Sequence, residues 1–171
     1  MIRFAPLAVA LIALSCHSTS PKVMTNLDMN TRNQLLDAVK SLEGTWECKG
    51  PDGSTGRTEF HVSSSGSAVR EIMFGGTEHE MTNMYHLDGN TLVLTHYCAA
   101  GNQPRMCATR KDGNSLVFHF DSVCDLKSPS ESYMGQVKID LIDKDHMTQT
   151  WESFSPGKKE PQMVFAYTRV K

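Results

Sequence analysis

The stretch that decides the fold is HEMTNMYHLDGNTLVLTHY, residues 79–97. Apolar and polar residues alternate on both sides of Asp88-Gly89, a dipeptide that favours a tight hairpin turn because Asp and Gly accept positive φ at low cost. Similar segments, each closed by a turn signal, recur roughly every ten residues from Glu43 to the C-terminus. This rhythm predicts an all-β fold, an antiparallel up-and-down barrel of about ten strands. The predicted strands are 45–49, 56–62, 67–74, 79–87, 91–98, 104–111, 115–122, 133–142, 146–154 and 162–170.

One short helix is expected on the N-terminal side of the barrel. Asn30 or Thr31 is available as its N-cap, and Gly44 is the expected stop. The apolar positions that follow the helical period are Leu35, Leu36, Val39 and Leu42.

The N-terminus has the pattern of a secretory signal. Arg3 precedes an apolar run that is too short to span a bilayer as a helix. The run ends at Ser15-Cys16, which resembles a bacterial lipobox. We therefore expect a lipid anchor in the bacterial cell envelope, with the domain facing the periplasm; the alternatives are a secreted soluble protein and a retained anchor. The expected segments are a signal peptide at 1–15, the lipidated Cys16 and a flexible tether at 16–30, and the barrel domain at 31–171.

The charge of the chain argues against a nucleic-acid partner. The full sequence carries 17 Lys+Arg and 19 Asp+Glu. Arg3 is the only charged residue of 1–15, so removing that segment leaves 16 cations against 19 anions, a net charge of −3. No basic run is present, and such a run is the usual mark of nucleic-acid binding. A protein partner is left open.

Four cysteines remain besides Cys16. An even number in an oxidising compartment favours disulfides over thiol catalysis or zinc. Cys98 and Cys107 flank one loop and would face each other across a hairpin, which leaves Cys48–Cys124 as the complementary bridge. The alternative is four free thiols packed as small apolar groups.

The turns fix which side chains share a face, since side chains alternate strictly along a strand. A turn at Asp88-Gly89 places Tyr85 opposite Leu92, and the turn after the sixth strand places Arg105 opposite Phe120. The apolar, inward face then also carries polar groups, whose burial in a dry core would cost on the order of several kcal/mol. A barrel with a hydrated or ligand-filled cavity removes this difficulty. The polar groups expected inside are His79, Asn83, Tyr85, His96, Arg105 and Thr109.

The loop after the fifth strand is a further candidate for binding. Asn102, Gln103 and Arg105 are suited to hold a carboxylate, an amide or a phosphate. The alternative is that Asn102 and Gln103 only cap the turn and Arg105 reaches solvent. The predicted ligand-binding residues are Tyr85, His96, Asn102, Gln103, Arg105, His79, Asn83, Phe118 and Phe120.

Gly44-Thr45-Trp46, which opens the first strand after a short helix, resembles the start of the calycin barrels, the lipocalins and fatty-acid-binding proteins. The resemblance implies that Arg169 of the last strand packs over Trp46 and closes the barrel base. A barrel of ten strands resembles the fatty-acid-binding proteins among the calycins. The run from Thr95 to Met106 resembles uncharacterised bacterial lipocalin-like envelope lipoproteins and implies no activity.

Other chemistry finds little support in the sequence. Haem-binding barrels of the nitrobindin type open with Gly-x-Trp-x-Gly and have a late histidine ligand, whereas this chain has Cys48 at the second glycine and no histidine after His146. The histidines do not form a metal-ligand pattern, so we predict neither a metal nor a cofactor. Nucleophile-elbow, P-loop and dinucleotide motifs do not occur.

These observations favour a non-catalytic envelope protein that holds a small amphipathic or hydrophobic molecule in a barrel cavity. Its head group would meet Arg105, His96 and Tyr85. The first alternative is a structural or interaction lipoprotein with a filled core. The second is a haem-binding protein or a small-molecule enzyme on the same barrel.

Overall fold

A computed structural model of the protein describes residues 23–170. The predicted signal peptide, Cys16 and the first part of the tether lie outside these residues. The elements are α1 (Met29–Lys40), β1 (Gly44–Lys49), β2 (Thr55–Ser63), a 3-10 turn (Ser64–Gly66), β3 (Ala68–Met73), β4 (Met81–Asp88), β5 (Thr91–Tyr97), β6 (Gln103–Ala108), β7 (Lys111–Asp112), β8 (Ser115–Cys124), β9 (Tyr133–Leu141), β10 (His146–Ser155), β11 (Lys158–Lys159) and β12 (Met163–Arg169).

Ten of these strands close into an antiparallel barrel, which confirms the predicted fold class. Each strand pairs with its neighbour in the order β12-β1-β2-β3-β4-β5-β6-β8-β9-β10, and β10 pairs with β12 to complete the ring. The two-residue strands β7 and β11 only extend the hairpins at β8 and β10. Closure leaves no free edge between the ten long strands, which removes the usual route to edge-to-edge association.

Helix α1 covers one end of the barrel. Its N-cap is Asp28, whose side chain accepts hydrogen bonds from the backbone of Asn30 and Thr31, so the helix begins before the two predicted caps. Arg32 donates to the backbone oxygen of Gly89 in the β4–β5 turn, which fixes the helix to that end. The helix side chains buried in the core are Leu35, Leu36, Ala38 and Val39. No helix in residues 23–170 is long and apolar enough to span a membrane.

The β4–β5 register differs from the prediction without changing the faces. The turn is Gly89-Asn90, so Tyr85 pairs with Leu94 and Asn83 with His96. A shift of two residues preserves the alternation of side chains, and the predicted inward residues of these strands remain inside.

The β6–β8 register differs in a way that reverses the face of β6. Lys111 pairs with Leu116 whereas Cys107 pairs with His119, so the segment between these positions of β6 and β7 has one residue more than the part of β8 that it faces. An extra residue of this kind reverses the face of every side chain beyond it in β6. A second irregularity follows, because Asp121 is an extra residue of β8 between the pairs Met106–Phe120 and Arg105–Ser122. The inward residues of β6 are consequently Pro104, Met106 and Ala108. The predicted inward orientation of Arg105, Cys107 and Thr109 is wrong.

Candidate functional site

A buried carboxyl group stands at the centre of the barrel. Glu71 of β3 is fully buried, and its Oε2 accepts hydrogen bonds from Nδ2 of Asn83 at 2.7 Å and from Oη of Tyr85 at 2.6 Å. Its Oε1 accepts a third hydrogen bond, from Nε2 of Gln149 at 2.8 Å. Burial raises the pKa of Glu71, and the three donors oppose that rise.

His96 extends this network through Asn83. Nδ1 of His96 lies 2.7 Å from Oδ1 of Asn83. Because Nδ2 of Asn83 donates to Glu71, its Oδ1 is an acceptor, and Nδ1 of His96 must carry the hydrogen. Nε2 of His96 is therefore an acceptor, and no protein group of the described chain donates to it. Burial lowers the pKa of His96 to about 4, so the ring is neutral at neutral pH.

Gln149 continues the network on the other side of Glu71. Its Oε1 accepts from Nε1 of Trp151 at 3.0 Å and from Oη of Tyr167 at 3.2 Å. The ring of Trp151 lies against His96, with 4.9 Å between the ring centroids. We call this connected interior set the polar belt; its members are Glu71, Asn83, Tyr85, His96, Gln149, Trp151 and Tyr167.

The end of the barrel opposite α1 is covered by adaptable side chains. Met163 pairs with Trp151 of the polar belt, and Phe165 pairs with Gln149, so these residues lie directly beside it. The rings of Phe74 and Phe165 are 5.7 Å apart. We call this end the mouth; its partly buried residues are Phe74, Met81, Met134, Met163 and Phe165. Methionine repacks easily, which makes this end easier to open than the end that α1 covers.

The surface clefts do not reach the polar belt. Five clefts have volumes between about 300 and 630 Å³. None of the five is lined by Tyr85, His96 or Gln149. From these five clefts, a molecule reaches His96 only if side chains move, and those of the mouth lie beside Trp151, which contacts His96.

The structure brings four of the predicted site residues together in the interior: Asn83, Tyr85, His96 and Phe118. The ring of Phe118 contacts Tyr85 edge-on at 5.8 Å. Two other predicted residues lie outside. His79 precedes β4 and its side chain is 75% exposed. Phe120 is 43% exposed and stacks on Tyr133 on the outer surface, because the bulge at Asp121 interrupts its strand.

Arg105 lies on the outer face of β6, away from the polar belt. Its guanidinium group contacts the carboxylates of Asp121 and Asp88. The predicted meeting of a ligand head group with Arg105, His96 and Tyr85 is wrong, since only the last two share the interior. Of the described side chains, no lysine or arginine is buried.

The other two loop candidates, Asn102 and Gln103, form hydrogen bonds to nearby loop residues. Nδ2 of Asn102 donates to Oε1 of Glu131 and to the backbone oxygen of Ser132, each at 3.0 Å. Gln103 donates from Nε2 to the backbone oxygen of Gly101 at 2.9 Å. The Asn102 contacts connect the β5–β6 turn to the segment before β9, whereas the Gln103 contact stays within the turn. Neither side chain belongs to the polar belt.

The four described cysteines are free thiols. Cys107 pairs with Val93, while the backbone nitrogen of Cys98 donates to Asn102, so the hairpin does not place Cys98 opposite Cys107. Cys48 is buried on the inner face of β1, and Cys124 is exposed at the end of β8. Both predicted disulfide pairings are absent from residues 23–170, and for Cys98 and Cys107 the β5–β6 register is the physical reason.

Trp46 and Arg169 meet as the calycin resemblance implies. The two residues pair across β1 and β12, and the guanidinium group lies over the indole ring. Nε1 of Trp46 donates to the backbone oxygen of Leu42 at 2.8 Å. This contact joins the first strand, the last strand and the chain that leaves α1.

Several members of the polar belt have no marker in the amino-acid sequence. Glu71 was not a candidate, since a glutamate in an alternating strand is typical of the solvent face. Gln149 lies 78 residues from Glu71 along the chain, and only closure of the barrel brings them together. Within residues 23–170, no three His, Cys, Asp or Glu side chains are placed to hold a metal ion together.

No protein-family model matches the chain, and no curated protein matches it significantly. Among solved structures, the crystal structure of Rv2717c from M. tuberculosis is similar, with a TM-score of 0.59 and 13% sequence identity. The match covers 80% of this chain and 97% of that one. A redesigned β-barrel matches with a TM-score of 0.40, at 10% identity, over 78% of this chain and 96% of the other. At 13% identity the likeness to Rv2717c shows a shared fold alone.

Proposed function

We propose that the chain is a calycin-like, non-catalytic binding protein that holds a small, largely apolar molecule inside the barrel. The observation that carries this proposal is the position of the polar belt, with an open acceptor on His96, beneath the adaptable side chains of the mouth. A fully filled structural barrel gains nothing from an unpaired buried acceptor, which is costly unless a partner satisfies it. The Trp46–Arg169 contact supports the calycin-like assignment.

The proposal is tested with diphenylhexatriene, a fluorescent hydrocarbon without hydrogen-bonding groups. Met163 and Val164 are neighbours on β12 with opposite faces, since Met163 packs on the core and Val164 is 44% exposed. We expect Met163→Trp to weaken probe binding about tenfold or more by filling the mouth. The matched Val164→Trp variant should bind like the wild type. Absence of saturable binding to the wild type would contradict the proposal.

Native mass spectrometry of protein purified from its own source is the complementary experiment. A retained small molecule, released by Met163→Trp and kept by Val164→Trp, would identify the ligand directly. Recovery of the bare chain under mild conditions, together with absent probe binding, would favour the other candidate.

That other candidate is a structural or interaction protein with a filled core. One observation favours it, a stack of three aromatic rings on the outer surface whose two outer members are exposed. Tyr133 lies between Phe120 and Phe154, with centroid distances of 5.0 and 5.2 Å. The register shift at Gly135 turns Tyr133 outward and Met134 inward. Exposed aromatic clusters of this kind are common at contact surfaces.

We also propose that the protein is an envelope lipoprotein anchored through Cys16. The described chain enters the barrel at the α1 end, where the backbone nitrogen of Asp28 donates to Oδ1 of Asn90 at 2.8 Å and Nδ2 of Asn90 donates to the backbone oxygen of Asn26. An anchor on that side would leave the mouth free. Cys16→Ser should abolish acyl labelling and release the protein from membranes, and unchanged membrane association would contradict the proposal.

A further inference from the structure

The polar belt limits which head group the barrel can accept. Glu71 is its one carboxyl group, His96 its one imidazole, and no described lysine or arginine is buried beside them. An anionic ligand would thus enter an apolar interior without a counter-charge and with Glu71 nearby. The interaction of like charges is strong in such surroundings. A carboxylate or phosphate head group is therefore disfavoured.

Glu71 is poorly placed to recruit a cation. It already accepts three hydrogen bonds from the protein, from Asn83, Tyr85 and Gln149. These donors satisfy the carboxyl group without help from a ligand, and they hold Asn83 in one orientation. That orientation of Asn83 determines which ring nitrogen of His96 carries the hydrogen.

Asn83 fixes the hydrogen on Nδ1 of His96, as its Oδ1 is the acceptor at 2.7 Å. Nε2, at the opposite side of the ring, keeps its lone pair and has no donor from the described protein. The ring is held in place by Trp151, whose strand neighbour Met163 belongs to the mouth. Nε2 is the unsatisfied group of the polar belt, and it accepts but cannot donate.

We infer that the interior site takes a neutral molecule that carries a hydrogen-bond donor, such as an alcohol with an apolar tail, and that Nε2 of His96 accepts this hydrogen bond. The inference rests on the proposed function, because it assumes that a ligand passes the mouth.

The test is displacement of diphenylhexatriene by three probes with the same tail, 1-dodecanol, dodecanoate and dodecylamine, at neutral pH. We expect dodecanol to displace the dye at a concentration about tenfold or more below the other two. His96→Phe keeps a ring against Trp151 but removes the acceptor, so the dodecanol concentration that displaces the dye, measured relative to the dye affinity of the same variant, should rise about tenfold, as loss of one hydrogen bond implies. His86→Phe, at an exposed histidine of β4, is the matched control.

The outcomes separate this inference from the proposed function. If the dye does not bind the wild type, the proposed function fails. If the dye binds but dodecanoate competes as well as dodecanol, or His96→Phe leaves dodecanol unchanged, the binding function stands and the assignment of His96 is overturned. Preferential binding of dodecylamine would also overturn it, in favour of recognition by Glu71.

Discussion

The guanidinium carbon of Arg169 lies 4.1 Å from the centroid of the Trp46 ring. The same side chain donates to the backbone oxygens of Lys144, Glu43 and Ser41. One planar cation thereby joins the β9–β10 turn to the chain that leads from α1 into β1. Arginine is suited to this role because its fork of donors reaches several acceptors while its face stacks on an aromatic ring.

Replacing Arg169 should lower the stability of the barrel. We expect Arg169→Met to reduce the free energy of unfolding by about 2–4 kcal/mol, because three backbone oxygens lose their donor and the indole ring loses its cation. Urea unfolding at neutral pH measures the effect. Arg70→Met, at an exposed position on β3, is the control and should change the free energy by less than about 0.5 kcal/mol. Equal effects of the two substitutions would contradict a closing role for Arg169.

Glu71 should make the folded state more stable at low pH than at high pH. Burial raises its pKa above the ordinary value of 4.5, so the folded protein binds this proton more tightly than the unfolded chain does. The contribution is therefore complete below pH 4.5 and is lost as the pH rises through the folded pKa. Glu71→Gln should lose this contribution to the pH dependence of the free energy of unfolding. The free energy of unfolding of the wild type minus that of the variant should therefore fall as the pH rises. Glu47→Gln, at an exposed position on β1, should leave the pH profile of the wild type intact.

His96 should act on stability in the opposite direction. Its folded pKa is about 4, below the ordinary 6.5, so the unfolded chain binds the proton first. The contribution is complete above pH 6.5 and is lost as the pH falls toward 4, by roughly 3 kcal/mol over the whole window. Unfolding curves of wild type and His96→Phe, measured across this window, isolate the effect from that of Glu71. A wild-type profile that coincides with that of His96→Phe would show that the imidazole titrates freely.

The barrel architecture was predictable because it follows from signals within each hairpin. Each hairpin has its own turn residues and alternation, and the Asp88-Gly89 region needed only a two-residue correction that leaves every face unchanged. Tyr85, Asn83 and His96 were therefore placed inside from the sequence. Arg105 was misplaced since a single extra residue between β6 and β7 reverses the face of β6 relative to β8. A bulge of this kind has no distinctive residue pattern in this stretch.

The polar belt was only half predictable for a different reason. Its members on β4 and β5 share one hairpin, so the alternation pattern finds them together. Glu71 and Gln149 become neighbours only when the ring of strands closes, and their residue types alone indicate a solvent face. A buried carboxyl group satisfied by amides and a phenol is a tertiary arrangement, and periodicity within one strand carries no information about it.

The cysteines provide the last prediction, through their reactivity toward a thiol-alkylating reagent. Burial raises the pKa of Cys48, and partial burial raises the pKa of Cys107. A higher pKa reduces the fraction of each thiol that is present as the reactive thiolate. Cys124 is exposed at the end of β8, so we expect it to be labelled first, whereas Cys48 should react only after unfolding. Peptide mapping without reductant measures the order. A peptide pair linked through Cys98 and Cys107 would contradict the register of β5 and β6, because that register pairs Cys107 with Val93.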